Sequence, residues 1–209
     1  MSWLRILRAK MIRAFYSSLK IKLLKISNPQ LAEAFRIYSH LTIAERVVLY
    51  RLGLGRKTIL EIGSYLGASA CCFGAAIKSS RVKGRIYCID TWNNDAMTEG
   101  FRDTWEEFQK NTASYKEYII PVRGFSTQVV NKVAAEIKSI ELLFIDGDHS
   151  YKGVKDDWDT YKRFLNTGSV VVFHDWGWAE GVKRVIVEEV MPYVGRCDNL
   201  PNKWWGNIK

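Results

Sequence analysis

The sequence predicts an α/β fold: a mostly parallel sheet with helices on both faces, extra N-terminal helices and an antiparallel C-terminal hairpin. Three observations carry this. Short apolar runs alternate with longer amphipathic segments from residue 58 to residue 190, a rhythm that only parallel strands joined by crossover helices accommodate. Two of those runs end on clustered ionisable residues, "FIDGDHS" and "FHDW", as strands do when their carboxyl ends line a ligand crevice. The stretch "YVGRCDNLPNKWWGNIK" sets Leu200-Pro201-Asn202 between two extended pieces, the pattern of a terminal hairpin.

The elements follow in chain order. In residues 1–27, Leu4, Leu7, Met11, Phe15, Leu19, Leu23 and Ile26 recur at three- and four-residue steps, with Lys10, Arg13, Ser17 and Lys20 opposite, which predicts a basic amphipathic helix. After Asn28-Pro29, "QLAEAFRIYSHL" reads as helix. The segment "TIAERVVLYRLGLG" reads as another, opened by Thr42 and Glu45 at capping-box spacing and stopped by Gly53 and Gly55. Strands are then expected at "TILEIG", "GRIYCID", "YIIPVRG", "ELLFID" and "SVVVFHD", with helices over 67–79, 101–115, 126–138, 150–165 and 179–190. In "KDDWDTYKRF", Trp158, Tyr161 and Leu165 are expected inward, and the long polar link "TWNNDAMTEGF" is expected to act as a lid. The chain divides into a basic helix, 1–27, and one domain, 28–209.

Length and composition bound the function. With 209 residues, 47% hydrophobic and 25% charged, the chain has room for one well-filled core and is not disordered. Cys71, Cys72, Cys88 and Cys197 lack metal-type spacing, and the first three fall in apolar segments, so buried free thiols and a cytoplasmic setting are expected. The net charge of +9 is concentrated in residues 1–27, which carry +7 and no acid, leaving +2 for the body. A nearly neutral body without aromatic-interleaved basic stripes argues against a nucleic-acid partner. The basic helix has neither the apolar run of a membrane span nor the core of a secretory signal. Lying on the inner membrane face and packing on the body or on a second copy are its two expected uses.

The ligand edge can be read residue by residue. "LEIGSYLGASA" ends the first strand on Glu61 and turns into a helix through Gly63 and Gly67, where backbone can approach a ligand closely. A dinucleotide fingerprint would need glycine where Tyr65 stands, and no phosphate-loop Lys-Ser or Lys-Thr pair occurs. "YCIDTW" places Asp90 at the end of the second strand, suited to the two hydroxyls of a ribose. The combination calls for a nucleoside without a phosphate cradle.

These ordered motifs, with "VRGFS", "FIDGDHSYKGVKDDW" and "VVVFHDW", resemble class I S-adenosylmethionine-dependent methyltransferases of the small-molecule O-methyltransferase type, methyltransferase family 24-like. The resemblance covers residues 40–209 and implies a Rossmann-like seven-stranded sheet whose last strand is antiparallel. It implies S-adenosylmethionine held by Glu61, Gly63, Ser64, Gly67 and Ser69 at its methionine part, by Asp90 at the ribose, and by Trp92, Phe125 and Ser126 at the adenine, with Asp146 beside the cofactor. It further implies a divalent cation, magnesium or manganese, on Asp146, His174 and Asp175, with Asp148 as general base. His174 stands where relatives carry a carboxylate, which tilts the expected ion toward manganese. His149, in the same cluster, is a second candidate for catalysis.

Transfer of a methyl group from a sulfonium to a hydroxyl requires in-line placement and removal of the hydroxyl proton, which is what clustered carboxylates and imidazoles at one sheet edge supply. The expected function is O-methylation of a small-molecule or glycan hydroxyl, with Trp92, Trp176 and Trp178 as candidate acceptor walls and a homo-oligomer as a further possibility. A nucleic-acid methyltransferase and a catalytically inactive cofactor-binding module are the alternatives.

Overall fold

A computed structural model of the chain describes residues 18–94 and 100–209. A helix, α1, covers residues 18–27, so the upstream part of the expected amphipathic helix lies outside the described residues, as do residues 95–99 of the expected lid. A seven-stranded sheet runs in the order β3-β2-β1-β4-β5-β7-β6. Its strands are β1 (Thr58–Ile62), β2 (Arg85–Asp90), β3 (Ile119–Arg123), β4 (Ile140–Ile145), β5 (Leu165–His174), β6 (Val194–Leu200) and β7 (Lys203–Ile208). The first five pair in parallel. β7 enters antiparallel between β5 and β6, with Val172 opposite Trp205 and His174 opposite Lys203.

Helices α2 (Ile43–Gly53), α3 (Ala68–Ser80) and α4 (Trp105–Thr112) cover one face; α5 (Ser126–Ala134), α6 (Tyr151–Tyr161) and α7 (Glu180–Val185) cover the other. Because side chains alternate along a strand, each central strand feeds two cores. Ile59, Ile86, Cys88, Leu142, Phe144, Val170 and Val172 face α2 and α3, while Leu60, Ile62, Ile89, Leu143, Ile145, Val171 and Phe173 face α5 to α7. All are buried, each contributing roughly 1.5–3 kcal/mol when large and fully covered. Glu61 is the exception on its face: a carboxyl buried among apolar neighbours.

Three departures from the sequence reading have identifiable causes. "QLAEAFRIYSHL" forms a three-residue 3-10 turn, Pro29–Leu31, followed by turns. The guanidinium of buried Arg46 donates to the carbonyls of Ala34, Ile37 and Leu41, replacing the helical donors those oxygens would otherwise need. α4 begins at Trp105 instead of 101, where Asp103 accepts from the Trp105 N–H at 2.9 Å. α6 stops at Tyr161, and Leu165 is the first residue of β5, whereas Trp158 and Tyr161 are buried as expected. The capping box of α2 forms with both its bonds, Thr42 N–H to Glu45 Oε2 at 2.7 Å and Glu45 N–H to Thr42 Oγ1 at 3.3 Å.

Candidate active site

Strand order reverses between β1 and β4, and a cavity of about 960 Å³ opens there along the carboxyl ends of the parallel strands. Its floor is the pair of turns leaving β1 and β4. Gly63 adopts φ +83°, and a Cβ there would meet the carbonyl oxygen of Asp146 at 2.0 Å, so only glycine allows the two strand ends to lie this close. The Asp146 N–H donates to Ile62 O at 2.9 Å and locks the same junction.

At the end of β2 the Asp90 carboxylate accepts from Tyr65 N–H at 2.8 Å and Trp92 N–H at 2.7 Å, joining the β1 and β2 turns at the cavity wall. Tyr65, Trp92, Asn94 and Asp175 have positive φ although none is glycine, so four strained residues lie along this edge. Glu61 lies beneath the glycine turn, accepts from Ser64 Oγ at 2.8 Å, and is pushed up to about 7 by burial. Phe125 and Ser126 line the far wall. The Ser126 hydroxyl donates to the buried carboxyl of Asp157, itself raised to about 7 by burial, and the Ser126 carbonyl accepts from Tyr161 Oη at 2.8 Å.

Of the expected cofactor residues, Gly63, Ser64, Ser69, Asp90, Phe125, Ser126 and Asp146 line one cavity. Glu61 and Gly67 do not line it: Glu61 is buried beneath the turn, and Gly67, at φ +89°, opens α3 against Thr112 and Phe108. Trp92 is set apart: it is fully buried, donates from Nε1 to Tyr65 O at 3.1 Å, and packs on Trp105 and Phe108 instead of bordering the cavity.

The ends of β4 and β5 meet as a charge cluster. His149 Nε2 lies 2.8 Å from Asp175 Oδ2, and Asp175 Oδ1 accepts from Trp178 Nε1 at 2.7 Å and Asn202 Nδ2 at 2.8 Å. The hydrogen bond to Asp175 raises His149 above the ordinary imidazole value. Burial opposes the charge on Asp175, but the contacts from His149 and His174 outweigh it and hold the carboxylate well below its usual range. His174 is buried. Its Nδ1 lies 3.1 Å from Asp146 Oδ1 and 3.2 Å from Asp175 Oδ1, and its Nε2 lies 3.6 Å from Glu45 Oε1. Burial alone would lower this imidazole, yet the surrounding carboxylates, Asp146 foremost, raise it to about 11.

Geometry sets His174 apart from the tightest cluster of ligand atoms, because its two nitrogens face Asp146, Asp175 and Glu45 from within the core. Among the described residues, ligand atoms of Asp146, His149 and Asp175 lie within 4.8 Å of one another, and this two-oxygen, one-nitrogen set fits a single divalent ion. This cluster shares Asp146 and Asp175 with the set expected from the sequence and has His149 as its third member. Asp148, expected as the base, accepts from Ser150 N–H and Ser150 Oγ, both at 2.8 Å, at the start of α6. Gly153 leaves room for it: a Cβ at that position would meet Asp148 Oδ2 at 2.2 Å.

Sequence reasoning missed Glu45, Asn202, Lys203 and the wall formed by Tyr38, His40 and Leu41. The Lys203 ammonium is buried 4.8 Å over the Phe144 ring, near Glu45 and Asp146, and burial lowers it to about 8. The only available signals were a capping-box glutamate and a lysine in an apolar strand, both with commoner explanations.

A seven-stranded sheet in this order, with an antiparallel β7 and a cavity at its switch point, is the architecture of a class I methyltransferase. The chain belongs to the methyltransferase-domain family, whose profile matches residues 60–176. It is 46% identical over 124 residues to an uncharacterised protein of Acanthamoeba polyphaga mimivirus and 29% identical over 121 residues to one of Sinorhizobium fredii. Each alignment covers 57% of this chain, but the chain spans only 51% and 13% of those relatives. Its fold is similar to the O-methyltransferase NovP (TM-score 0.68, 13% identity, 82% of each chain). It is also similar to TomG of Streptomyces achromogenes bound to S-adenosylmethionine (0.66, 14%, 95% and 96%). A third is CalS11, a TDP-rhamnose 3'-O-methyltransferase (0.60, 20%, 78% and 77%).

Proposed function

We propose that the protein transfers the methyl group of S-adenosylmethionine to a hydroxyl of a small molecule, with a sugar as the favoured acceptor class. The observation that carries this is the His149–Asp175 pair, set in the same cavity as the Gly63 turn and Asp90. The adenosyl end is assigned to Asp90, Phe125 and Ser126, and the methionine end to the Gly63–Ser69 turn with Glu61 beneath it. The acceptor is assigned to the opposite end, where Trp178 packs edge-on against His149 with ring centroids 5.1 Å apart. Exposed rings of Tyr38 and Trp178 at the rim of a cavity rich in polar groups suit a sugar ring, which presents apolar faces and hydroxyl edges. TomG, NovP and CalS11 support the same chemistry by likeness of fold.

In the step itself the acceptor oxygen attacks the methyl carbon, the carbon–sulfur bond breaks, and the sulfonium becomes a neutral thioether. The hydroxyl proton must leave as the new bond forms. With Nε2–H donating to Asp175, the Nδ1 atom of His149 is the basic nitrogen and takes that proton. Asp175 fixes the tautomer and stabilises the resulting imidazolium, while Trp178 and Asn202 fix Asp175. His174 neutralises the carboxylates gathered behind the acceptor end.

A second use of the same residues is favoured by the 4.8 Å clustering of Asp146, His149 and Asp175. These three would hold a divalent cation, which when bound lowers the pKa of a nearby hydroxyl. One pair of measurements separates the two. If His149 is the base, turnover persists in strong chelator and falls about 10²–10⁴-fold in His149→Gln. If His149 is a ligand, chelation abolishes turnover and a transition ion restores it. Calorimetry tests the cofactor assignment independently: S-adenosylhomocysteine should bind and NAD should not. The reverse result would overturn the methyltransferase reading.

A further inference from the structure

We propose that α1 docks the protein on an anionic lipid surface through a face directed away from the domain. Leu24 on the helix and Asn28 just after it face inward, Leu24 packed against the first core and Asn28 Nδ2 donating to Leu24 O at 2.8 Å. Helical geometry places Leu19, Leu23 and Ile26 on one stripe rotated away from Leu24, at three- and four-residue spacing. These side chains are 43%, 57% and 75% exposed, large values for leucine and isoleucine in a row. Lys20 and Lys22 border the stripe on its two sides, Lys25 lies beyond Lys22, and all three are exposed.

The charge complement fixes the partner. Residues 1–27 carry seven basic residues and no acidic one, while the rest of the chain has a net charge of +2. A bilayer with anionic headgroups uses both parts of this surface: the aliphatic stripe enters the acyl boundary, and lysines alongside it extend to the phosphates. A nucleic acid would engage the lysines and leave the stripe in water. A second copy of the chain could bury the stripe, but it would set two strongly basic segments against each other at a cost of like-charge repulsion. Among the described residues no helix is long and apolar enough to cross a membrane. This inference does not depend on the activity proposed above.

Co-sedimentation of the full chain with vesicles tests it. Binding is expected to mixed phosphatidylcholine and phosphatidylglycerol vesicles, not to phosphatidylcholine alone, and is expected to weaken as salt rises. The exposed double variant Leu23→Asp with Ile26→Asp should reduce partitioning at least about tenfold, and Lys20→Gln with Lys22→Gln and Lys25→Gln should also reduce it. Thermal midpoint and S-adenosylhomocysteine affinity should stay at the parent values, which separates loss of docking from loss of folding. Three results would each overturn the proposal: no binding to anionic vesicles, whether or not heparin retains the protein, equal binding to neutral ones, or binding indifferent to the double variant. Light scattering that shows the double variant dissociating a dimer would instead assign the stripe to a second copy.

Discussion

Asp175 is the residue on which the candidate site turns. Its backbone is held at φ +58°, a conformation that non-glycine residues adopt only where the surroundings enforce it, and its carboxylate takes donors from His149, His174, Trp178 and Asn202. Replacing it with asparagine keeps the size but removes the charge that raises His149. The expected result is turnover lowered by roughly two to four orders of magnitude, with S-adenosylhomocysteine affinity little changed. Because Asp175 raises the His149 pKa, its loss should also move the acidic limb of the rate–pH profile toward lower pH. An unshifted limb would remove His149 from the role of base. Asp148→Asn makes the contrast: with that carboxylate committed to Ser150 at the start of α6, the variant should lose stability, about 1 kcal/mol, with little loss of turnover.

At the scale of elements, the site depends on junctions between strand ends and on the cap of α2. Gly63→Ala would drive a Cβ into the Asp146 carbonyl at a positive φ, so both the β1–β4 junction and the cofactor turn must shift. Calorimetry should show adenosyl-ligand binding lost or reduced at least about tenfold, with a thermal midpoint well below the parent. Thr42→Ala should be milder, costing about 1 kcal/mol by chemical denaturation through loss of one capping bond. Glu45→Gln should cost more, because the same carboxylate both completes the capping box and faces His174. If the two variants were equally destabilising, the Glu45–His174 contact would carry no weight. Strand and helix alternation was legible because its period of two and its 3.6-residue period are written directly in the side chains. The segment after Pro29 misled because Arg46, distant in sequence from the first of the carbonyls it serves, satisfies them from outside any helix.

Across the whole molecule, buried titratable groups set a pH window for stability. Glu61 and Asp157 have folded values of about 7, above the ordinary carboxyl range, so their stabilising contribution is fully present below that range and is lost as pH rises through 7. His174, raised to about 11, contributes fully below the ordinary imidazole value and loses that contribution progressively as pH rises from there toward 11. Glu45, lowered to about 2, and Asp175, also lowered, contribute above the ordinary carboxyl range and are lost in acid. The ligand-free protein should therefore melt highest near roughly pH 5–6 and lower at pH 8. Glu61→Gln should raise the midpoint at pH 8 and change it little at pH 5, where the parent carboxyl is already neutral. A midpoint independent of pH between those values would contradict the burial of Glu61 as a destabilised anion.

The sequence by itself determined the sheet, its antiparallel end, the capping box of α2, and the strand ends that carry the site. It did so because these depend on local period, turn chemistry and where apolar runs stop. It also placed Gly63, Asp90, Asp146, His149, His174 and Asp175 at one edge of one sheet. What each of them faces was set by tertiary packing. Whether an imidazole is a ligand, a base or a fixed cation depends on which carboxylates face it. His174 meets Asp146 from just beyond β4, Asp175 from the next position in the chain and Glu45 from α2, whereas His149 meets Asp175 and the Trp178 ring. Those approaches span from one residue to well over a hundred along the chain. They are set by the packing of α2 and the hairpin against β5, which no local pattern encodes.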